Sequence, residues 1–436
     1  MTAAIPTAPG RLPLVGHAMP LIRRPVDFVS SLSEHGDVVR IYLGPVPTYF
    51  VTNAQMVHRI LTVDSARYTR GRVFDKARRF FGESVAIVSG EEHRTKRRML
   101  QPAFARNRMA DYLAVMNGAV AERTASWRSG DQIDVEDQMH ELSATVLARS
   151  LFGTHLTDGE VTQICDCANV VMRGAFVRTV LPAAFEALPL PTNRRFVSAI
   201  ARLQAIVVRL IELYRAQGVD NSDLLSLLLG AGDMTDPQIC DEIMTILIGG
   251  LGNTTAALAW TFYELARNPE AEARLHREVD SVLVGGQPIR AEELSKLTFT
   301  RRCIDEAVRP RGVWLLMRRT LVPVELGAAR IPPGAEVMYS LTALHRDPRY
   351  FPEPTKFDPD RVISETARAL SRQVYIPFGA GPHKCIGEHF GITAATLTVA
   401  TVARKWRLLA VPGHRTRETV DATVRPGQLP MTVVHR

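Results

Sequence analysis

Apolar residues recur every three or four positions along most of the chain, and this spacing predicts amphipathic helices. Two β-rich runs, "VVRIYL" and "TYFVTN", flank a "GPVP" turn and predict a hairpin. The pattern therefore predicts a mainly α protein, with one domain over residues 1–436 and a small β-rich part, mainly residues 36–53 and 310–345. The clearest helical segments are residues 111–127, 139–153, 194–218, 271–283 and 394–406.

One predicted helix is unusually long and apolar. It begins at Thr235-Asp236-Pro237, where a capping side chain precedes a proline in the first turn, and it ends near Asn268-Pro269. No charged residue lies between Ile243 and Tyr263, a length that would suit a membrane span. Because glycine, asparagine and threonine occupy its centre, we interpret it as the buried central helix of a soluble protein.

The centre of this helix carries three glycines within four positions, at 249, 250 and 252. Relative to alanine they weaken the helix by roughly 2–3 kcal/mol, so something must need the space. Close packing of a neighbouring helix is the simpler explanation. The alternative is a flat ligand against the helix, where Asn253 and the following threonines loosen the backbone hydrogen bonding.

Composition and charge narrow the class of protein. Hydrophobic residues make up 46% of the 436 positions, and the five cysteines lack the spacing of a disulfide-stapled secreted protein. The first twenty residues lack a basic start followed by an apolar run, so a cytoplasmic protein is expected. The net charge is +8, with a basic cluster at residues 91–108. No zinc finger, helix-turn-helix signature or aromatic platform accompanies it, so nucleic acid is not an expected partner.

The stretch "FGAGPHKCIGEHF", residues 378–390, carries the most distinctive chemistry. Gly379 and Gly381 permit a tight loop, and Cys385 is predicted to open a helix whose dipole and free amides lower the thiol pKa. Gly387 leaves room for a large planar group. A zinc site would need partner ligands nearby, and a phosphate loop would need Gly-Lys-Ser/Thr. A single thiolate on haem iron fits best, since such ligation favours O–O cleavage.

The spacing Phe378-x-x-Gly381-x-His383-x-Cys385-x-Gly387 resembles the haem-binding loop of the cytochrome P450 family. The resemblance implies the cytochrome P450 fold, a large helical domain with a small β-rich part and a long central helix over the haem. It also implies haem b as cofactor, with Cys385 as the iron ligand and with Phe378 and Gly387 beside the haem.

Further residues follow from the same resemblance. Glu306 and Arg309 in "EAVR", with Arg361 in "FDPDR", correspond to a buried Glu-Arg-Arg cluster of the family. Two buried propionates need charged hydrogen-bond partners. One such arginine is Arg318, but its neighbour Arg319 could take the same place if the alignment shifts by one residue. The residues that the resemblance assigns to the propionates are His93, Arg97, Arg318 and His383.

The central helix departs from the family pattern at the positions where an acid and an alcohol usually guide protons. In "IGGLGNTTAALAW", Gly252 takes the place of the acid and Asn253 that of the alcohol. A shift by one residue would use Asn253 and Thr254 instead, but it breaks the matching segments on both sides. We expect a water held by the Asn253 amide, the Thr254 hydroxyl or a substrate hydroxyl to relay the protons.

The resemblance places a substrate pocket above the haem. Val313, Trp314 and Leu316 follow the Glu-Arg pair, and with Gly249 and residues 73–88 they are expected to line a mostly apolar pocket. The substrate class is therefore lipophilic. The stretches "SEHGDVVRIYLGP" and "PLPTNRRF" resemble sesquiterpene-oxidising members, which favours a terpenoid, and macrolides, steroids and fatty acids stay open as alternatives.

Activity and partners also follow from the resemblance, which implies a bacterial, monomeric haem-thiolate monooxygenase that inserts one oxygen atom of dioxygen. The chain carries no nicotinamide or flavin fingerprint, so a ferredoxin and a ferredoxin reductase must supply the electrons. An acidic ferredoxin is expected to dock on basic residues near the ligand cysteine. These residues are Arg94, Lys96, Arg97, Arg98 and Lys384.

Two alternatives to this activity remain open. A peroxide-driven relative is one, although such enzymes usually carry an Arg-Pro pair in the long helix and "IGGLGNTT" has none. A haem-containing binding or recruitment protein without turnover is the other, since the cysteine loop and the Glu-Arg-Arg cluster indicate only that haem is retained.

Overall fold

Helices form the greater part of the structure. The computed structural model describes residues 4–153, 156–180, 188–218, 223–361 and 373–436. The helices are α1 (Ala18–Arg23), α2 (Pro25–Ser31), α3 (Ala54–Leu61), α4 (Arg72–Phe81), α5 (Gly90–Leu100), α6 (Met109–Ala125), α7 (Val135–Phe152), α8 (Asp158–Val180), α9 (Pro191–Gln217), α10 (Leu224–Ala231), α11 (Asp236–Arg267), α12 (Pro269–Val282), α13 (Ala291–Lys296), α14 (Thr298–Val308), α15 (Leu341–His345) and α16 (Glu388–Lys405). The strands are β1 (Val38–Leu43), β2 (Val46–Val51), β3 (Tyr68–Arg70), β4 (Gln132–Asp134), β5 (Leu316–Thr320), β6 (Val324–Leu326), β7 (Ala329–Ile331), β8 (Glu336–Tyr339), β9 (Trp406–Ala410), β10 (Glu418–Val420), β11 (Val424–Pro426) and β12 (Pro430–His435).

The predicted long helix is confirmed as α11, and it runs through the middle of the helical core. Its start is fixed by Gln238, whose side-chain oxygen accepts the Thr235 amide at 2.9 Å, and it ends at Arg267 before Asn268. Helices α7, α8, α9, α14 and α16 pack around it. Among the described residues it is the one helix long and apolar enough to cross a membrane, and 61% of its most apolar window is buried. This burial is that of a core helix.

The predicted hairpin is formed by β1 and β2, with Val38 opposite Val51 and Leu43 opposite Val46. Gly44 turns the chain between them with a φ of 62°, a conformation that side chains rarely adopt. The hairpin is one edge of a five-stranded sheet with the order β1-β2-β8-β5-β3. In this sheet β2 and β8 are parallel, whereas the other pairs are antiparallel. The sheet brings residues 38–51 together with residues 316–339, the two segments predicted to be β-rich.

Four strands between Trp406 and His435 lie where only helix was expected. Strand β12 pairs with β4 and β9, and β10 pairs with β11. Each of these strands has three to six residues, which is too short for an alternating pattern to stand out. The β-rich part of the protein is therefore larger than the two predicted segments.

Candidate active site

The loop before α16 is closed tightly around Cys385. Gly379 and Gly381 adopt φ angles of 72° and 69°. A Cβ at Gly381 would lie 1.7 Å from the carbonyl oxygen of Leu61, so the loop passes directly against the end of α3. The amide of Cys385 donates to the carbonyl oxygen of Phe378 at 2.9 Å. The loop therefore fixes the position of the cysteine just ahead of α16.

The Cys385 thiol is reached by solvent, although protein surrounds it on most sides. Burial raises the pKa of this thiol, and the Gly387 amide, which donates to the sulfur, opposes that shift together with Arg97 and Lys384. Burial thus outweighs the predicted lowering of the thiol pKa. The helix dipole acts mainly within the first turn of α16, and Cys385 lies before that turn. A coordinated metal ion would ionise such a thiol directly.

Four basic side chains converge near this loop. The rings of His93 on α5 and His383 in the loop have centroids 3.9 Å apart. Arg70 on β3 stands directly opposite Arg318 on β5. Burial and the Arg318 charge lower the pKa of Arg70 to about 9, and burial and the Arg70 charge lower the pKa of His93 to about 4. For both Arg70 and His93 burial is the larger cause, and the neighbouring positive charge adds to it, so no acidic group among the described residues compensates the charge here.

The cluster fits a ligand with two carboxylates. Within the described residues, none of these four side chains forms an ion pair with an acidic group. Arg70 Nε and His383 Nδ1 are buried and lack a hydrogen-bond partner in this part of the chain. Two haem propionates would supply the missing acceptors and negative charge. A Cβ at Gly387 would make ordinary contacts with Phe104 at 3.9 Å and with the Cys385 sulfur at 4.0 Å, so this glycine lies directly beside the sulfur.

Three of the four predicted propionate residues belong to this cluster, and the fourth, Arg97, lies beside it. Arg97 Nη1 donates to the carbonyl oxygen of Lys384 at 2.6 Å, which ties α5 to the cysteine loop. Arg318 is buried in the cluster, whereas Arg319 bonds to Glu336 and Asp75, a placement that favours the predicted register of the β5 arginine.

Arg70 was missed by the sequence reasoning. Its position opposite Arg318 depends on the pairing of β3 with β5, which are far apart in the chain, and no local pattern around "YTRG" indicates that pairing.

The Glu-Arg-Arg cluster is assembled as predicted. Arg309 donates to both carboxylate oxygens of Glu306 at 2.9 and 3.0 Å, and Arg361 Nε donates to one of them at 3.0 Å. Arg309 also donates to the carbonyl oxygens of His345 and Pro354. The cluster thereby connects α14 to the segment at residues 345–361. The cysteine loop follows this segment later in the chain.

The three glycines of α11 serve different neighbours. A Cβ at Gly250 would lie 3.0 Å from Leu147 on α7, and one at Gly252 would lie 2.7 Å from Met172 on α8. Gly249 has open space instead. Close helix packing therefore explains two of the glycines, and the third leaves room for a ligand or water.

The predicted proton-relay residues point in different directions. Asn253 is exposed on the same side as Gly249, and its amide nitrogen donates to the Gly249 carbonyl at 3.1 Å. Thr254 is half-buried, donates to the Gly250 carbonyl at 2.9 Å and faces Gly391 on α16. Gly252 is buried against α8 and does not reach the side that Asn253 faces.

The predicted substrate contacts also separate. Leu316 is half-buried and lies two positions before Arg318, so the alternation of β5 puts both on one face of the sheet. Val313 is half-buried and forms a β-bridge to Thr423. Trp314 differs from its prediction: it lies in the core, and its indole nitrogen donates to the Asp421 carbonyl at 2.6 Å.

The predicted docking cluster needs one correction. Lys96 is buried, with its ammonium 3.4 Å from the carboxylate of Glu242 on α11. It cannot contact an external protein. Arg94 and Arg98 are exposed on α5, and the side chain of Lys384 is 45% exposed beside the cysteine.

Comparison with known proteins agrees with this site. The family model described as Cytochrome P450 matches residues 6–430. The chain is 41% identical to cyclooctat-9-en-7-ol 5-monooxygenase of Streptomyces melanosporofaciens, over 98% of this chain and 94% of the relative. It is 40% identical to cyclooctatin synthase of the same organism, over 97% and 94%. Pentalenene oxygenase of Streptomyces avermitilis is 34% identical, over 98% and 95%.

A solved structure supports the fold. The crystal structure of a cytochrome P450 heme domain superposes with a TM-score of 0.88 at 24% identity and covers 100% of this chain and 98% of that one. Together with the cysteine loop and its basic cluster, the family match assigns haem b as the cofactor. The chain belongs to the cytochrome P450 family and is a haem-dependent monooxygenase.

Proposed function

We propose that this enzyme hydroxylates a terpenoid with electrons from a ferredoxin. The observation that carries the substrate class is the similarity, over nearly the whole chain, to three oxygenases whose names refer to cyclooctatin and pentalenene, at 34% to 41% identity. We also propose that the enzyme is a cytoplasmic monomer; the burial of α11 supports a core helix in place of a membrane span.

The chain's own residues would hold the haem at the cysteine loop, residues 378–387, just before α16. Cys385 would bind the iron, and the Gly387 amide would stabilise the negative sulfur. The propionates would take the acceptor places left beside Arg70, His93, Arg318 and His383. Thiolate-ligated haem supplies dioxygen activation that favours O–O cleavage.

Asn253 is the proposed proton-relay residue on the substrate side. Its amide nitrogen is used by the Gly249 carbonyl, so its exposed side-chain oxygen is left to orient a water. Open space at Gly249 gives that water room. Leu316 and Val313 would form the apolar wall that holds a lipophilic substrate and excludes bulk water.

A substrate-induced spin-shift titration tests the substrate class. Purified holoenzyme is titrated with cyclooctat-9-en-7-ol and pentalenene, and with a macrolide, a steroid and a fatty acid for comparison. We expect a low-spin to high-spin shift with a terpenoid, followed by a hydroxylated product when ferredoxin, reductase and NAD(P)H are added. A shift only with the comparison compounds contradicts the terpenoid class. Product formed with hydrogen peroxide but not with ferredoxin contradicts the electron source.

A further inference from the structure

A buried carboxylate on α11 has no part in the haem site described above. Glu242 has 0% exposure, and both of its oxygens accept the Val85 amide at 3.0 Å. The Lys96 ammonium lies 3.4 Å away. Burying a charged carboxylate costs free energy unless partners compensate it, so a functional role for Glu242 is worth testing.

Glu242 projects toward the same side of α11 as the proposed relay residue. Gly249 and Asn253 follow it by seven and eleven positions, close to two and three turns at about 3.6 residues per turn. Gly252 occupies the position of the usual acid, but it lies on another face of α11, where it packs against Met172. A carboxyl group is therefore present on the relay face, about 16 Å along the helix from Asn253.

Polar groups continue from Glu242 toward Asn253. Thr245, one turn along, donates to the Ser84 hydroxyl at 2.7 Å, and Ser84 adjoins Val85, the residue bonded to Glu242. The open space at Gly249 comes next. Water molecules in such a space bridge polar groups nearly as well as direct hydrogen bonds do. Within the described residues no hydrogen bond joins the Glu242 carboxylate to either hydroxyl, and Ile246 lies between Glu242 and Gly249, so water would have to complete the path along this face.

We propose that Glu242 is a proton-relay residue that replaces the acid absent at position 252, with Thr245, Ser84 and water beside Gly249 carrying its proton to Asn253. The proposal rests on the role of Asn253 in the proposed function. In each turnover a substrate R–H, dioxygen, two electrons from the ferredoxin and two protons give R–OH and one water. The proton leaves a Glu242 oxygen, and solvent restores it before the next turnover.

The environment of Glu242 suits a proton donor near neutral pH. Burial raises the pKa of Glu242 to about 7, while the Val85 amide and Lys96 oppose the rise and Asp241 adds to it. Lys96 on α5 and Asp241 on the same helix are the charged groups that act on it most strongly. Glu83, in the connection before α5, is paired with Arg78.

Asp241 offers a matched control for a purely structural role. It accepts the Glu83 amide at 3.2 Å, just as Glu242 accepts that of Val85, so both carboxylates tie the same connection to α11. Consecutive residues project about 100° apart on a helix, so Asp241 does not face Asn253.

The test measures hydrogen peroxide released per NAD(P)H oxidised, with holoenzyme, ferredoxin, reductase and pentalenene as probe ligand. This ratio is defined even if pentalenene is not hydroxylated. We expect E242Q, which keeps the shape and the acceptor for Val85, to slow dioxygen cleavage by about tenfold or more and so to release more peroxide. We expect D241N to keep the pH-dependent peroxide ratio of the wild type, with its midpoint moved downward because Asp241 adds to the raised pKa of Glu242. In the wild type the peroxide ratio should rise as pH increases through 7, because the deprotonated carboxylate cannot donate, and E242Q should lose this dependence.

A second variant separates a proton relay from a loss of packing. Lys96 lowers the pKa of Glu242, so K96M should raise that pKa and move the pH midpoint of the peroxide ratio upward. Peroxide ratios of E242Q equal to the wild type at every pH, or an unmoved midpoint in K96M, would overturn the proposal. If N253A alone raises the ratio, the role of Asn253 stands and that of Glu242 fails. If no probe terpenoid shifts the spin state, the substrate class fails, whereas the peroxide ratio still decides the relay.

Thermal unfolding of the holoenzyme gives a readout that does not depend on turnover. The raised pKa of Glu242 means that the folded state holds this proton more tightly than the unfolded state. The stability of the wild type relative to E242Q should therefore fall as pH increases from about 4.5 to 7 and level off above. A constant difference in melting temperature across this range would contradict the raised pKa.

Discussion

Arg70 and Arg318 face each other across β3 and β5, an arrangement that is unfavourable when nothing lies between the two charges. Arg318 is buried and Arg70 is half-buried, and the pKa of Arg70 is lowered to about 9, so the described protein groups do not neutralise the two charges. A bound dianion resolves this cost. Relief of this repulsion would then favour binding of the two haem propionates that we propose at this position.

We expect R70M to weaken haem binding. A hydrogen bond to a charged group contributes about 1.5–3 kcal/mol, so haem release should accelerate by roughly 10- to 100-fold. The pKa of His93 should rise in the haem-free protein, because Arg70 is the largest charge that lowers it. Transfer of haem to apomyoglobin measures the release rate. The control is R67M, an exposed position three residues earlier, which should leave the rate unchanged. Equal rates for the two variants would remove Arg70 from the haem site.

Single residues were predictable where one side chain has one chemical task. Cys385, His93 and His383 are of this kind: the family resemblance indicated them, and the structure places all three at the same loop. Lys96 was assigned wrongly to the surface, because it lies between Thr95 and Arg97 in a uniformly polar stretch. Its buried position is decided by Glu242 on another helix, and a helix sequence alone does not reveal such a partner.

At the level of elements, the cysteine loop depends on contact between its backbone and the end of α3. Gly379 and Gly381 share the same positive φ range, but only Gly381 meets another chain segment, the Leu61 carbonyl. The two positions therefore separate backbone strain from steric exclusion within one loop.

We expect G379A to cost about 1–2 kcal/mol in the free energy of unfolding, the usual penalty of a left-handed conformation for a residue with a Cβ. G381A should cost clearly more and should reduce haem retention, because a Cβ would lie 1.7 Å from a backbone oxygen and the loop must move. Urea unfolding of the two holoenzymes, with haem content measured beforehand, checks the order. A G381A variant as stable as G379A would mean that α3 yields to the loop.

Element boundaries followed from the sequence where strong signals coincide. The start of α11 combines a capping residue with proline, and the β1–β2 hairpin combines a turn with two apolar runs. The short strands β9 to β12 lack both signals. The purpose of the three glycines was also undecided, since Leu147 and Met172 come from other helices.

At the scale of the whole molecule, part of the 53 lysines and arginines is used internally, and the net charge is +8. Lys96 and Arg309 pair with buried carboxylates, and Arg97 bonds to the cysteine loop. The exposed basic residues near Cys385 are what remains for an external partner. Arg94 and Arg98 are exposed on α5, and Lys384 adjoins Cys385; Arg94 and Lys384 also form surface ion pairs with Glu91 and Glu388.

An acidic ferredoxin that docks on this face should depend on Arg94 and Arg98. The double variant R94Q/R98Q should then slow electron transfer at low ionic strength by about tenfold or more. The reason is that electrostatic steering raises association rates by roughly 10- to 1000-fold. The rate should also lose much of its dependence on salt, because exposed charges are screened within about 10 Å at 0.1 M. Stopped-flow reduction by a [2Fe–2S] ferredoxin, at salt concentrations from roughly 10 to roughly 300 mM, measures the electron-transfer rate and its salt dependence. R194Q/R195Q removes the same charge from the exposed start of α9 and provides the control. If both double variants keep the wild-type salt dependence, the partner docks elsewhere; if both lose it equally, the net charge of the protein acts rather than this face.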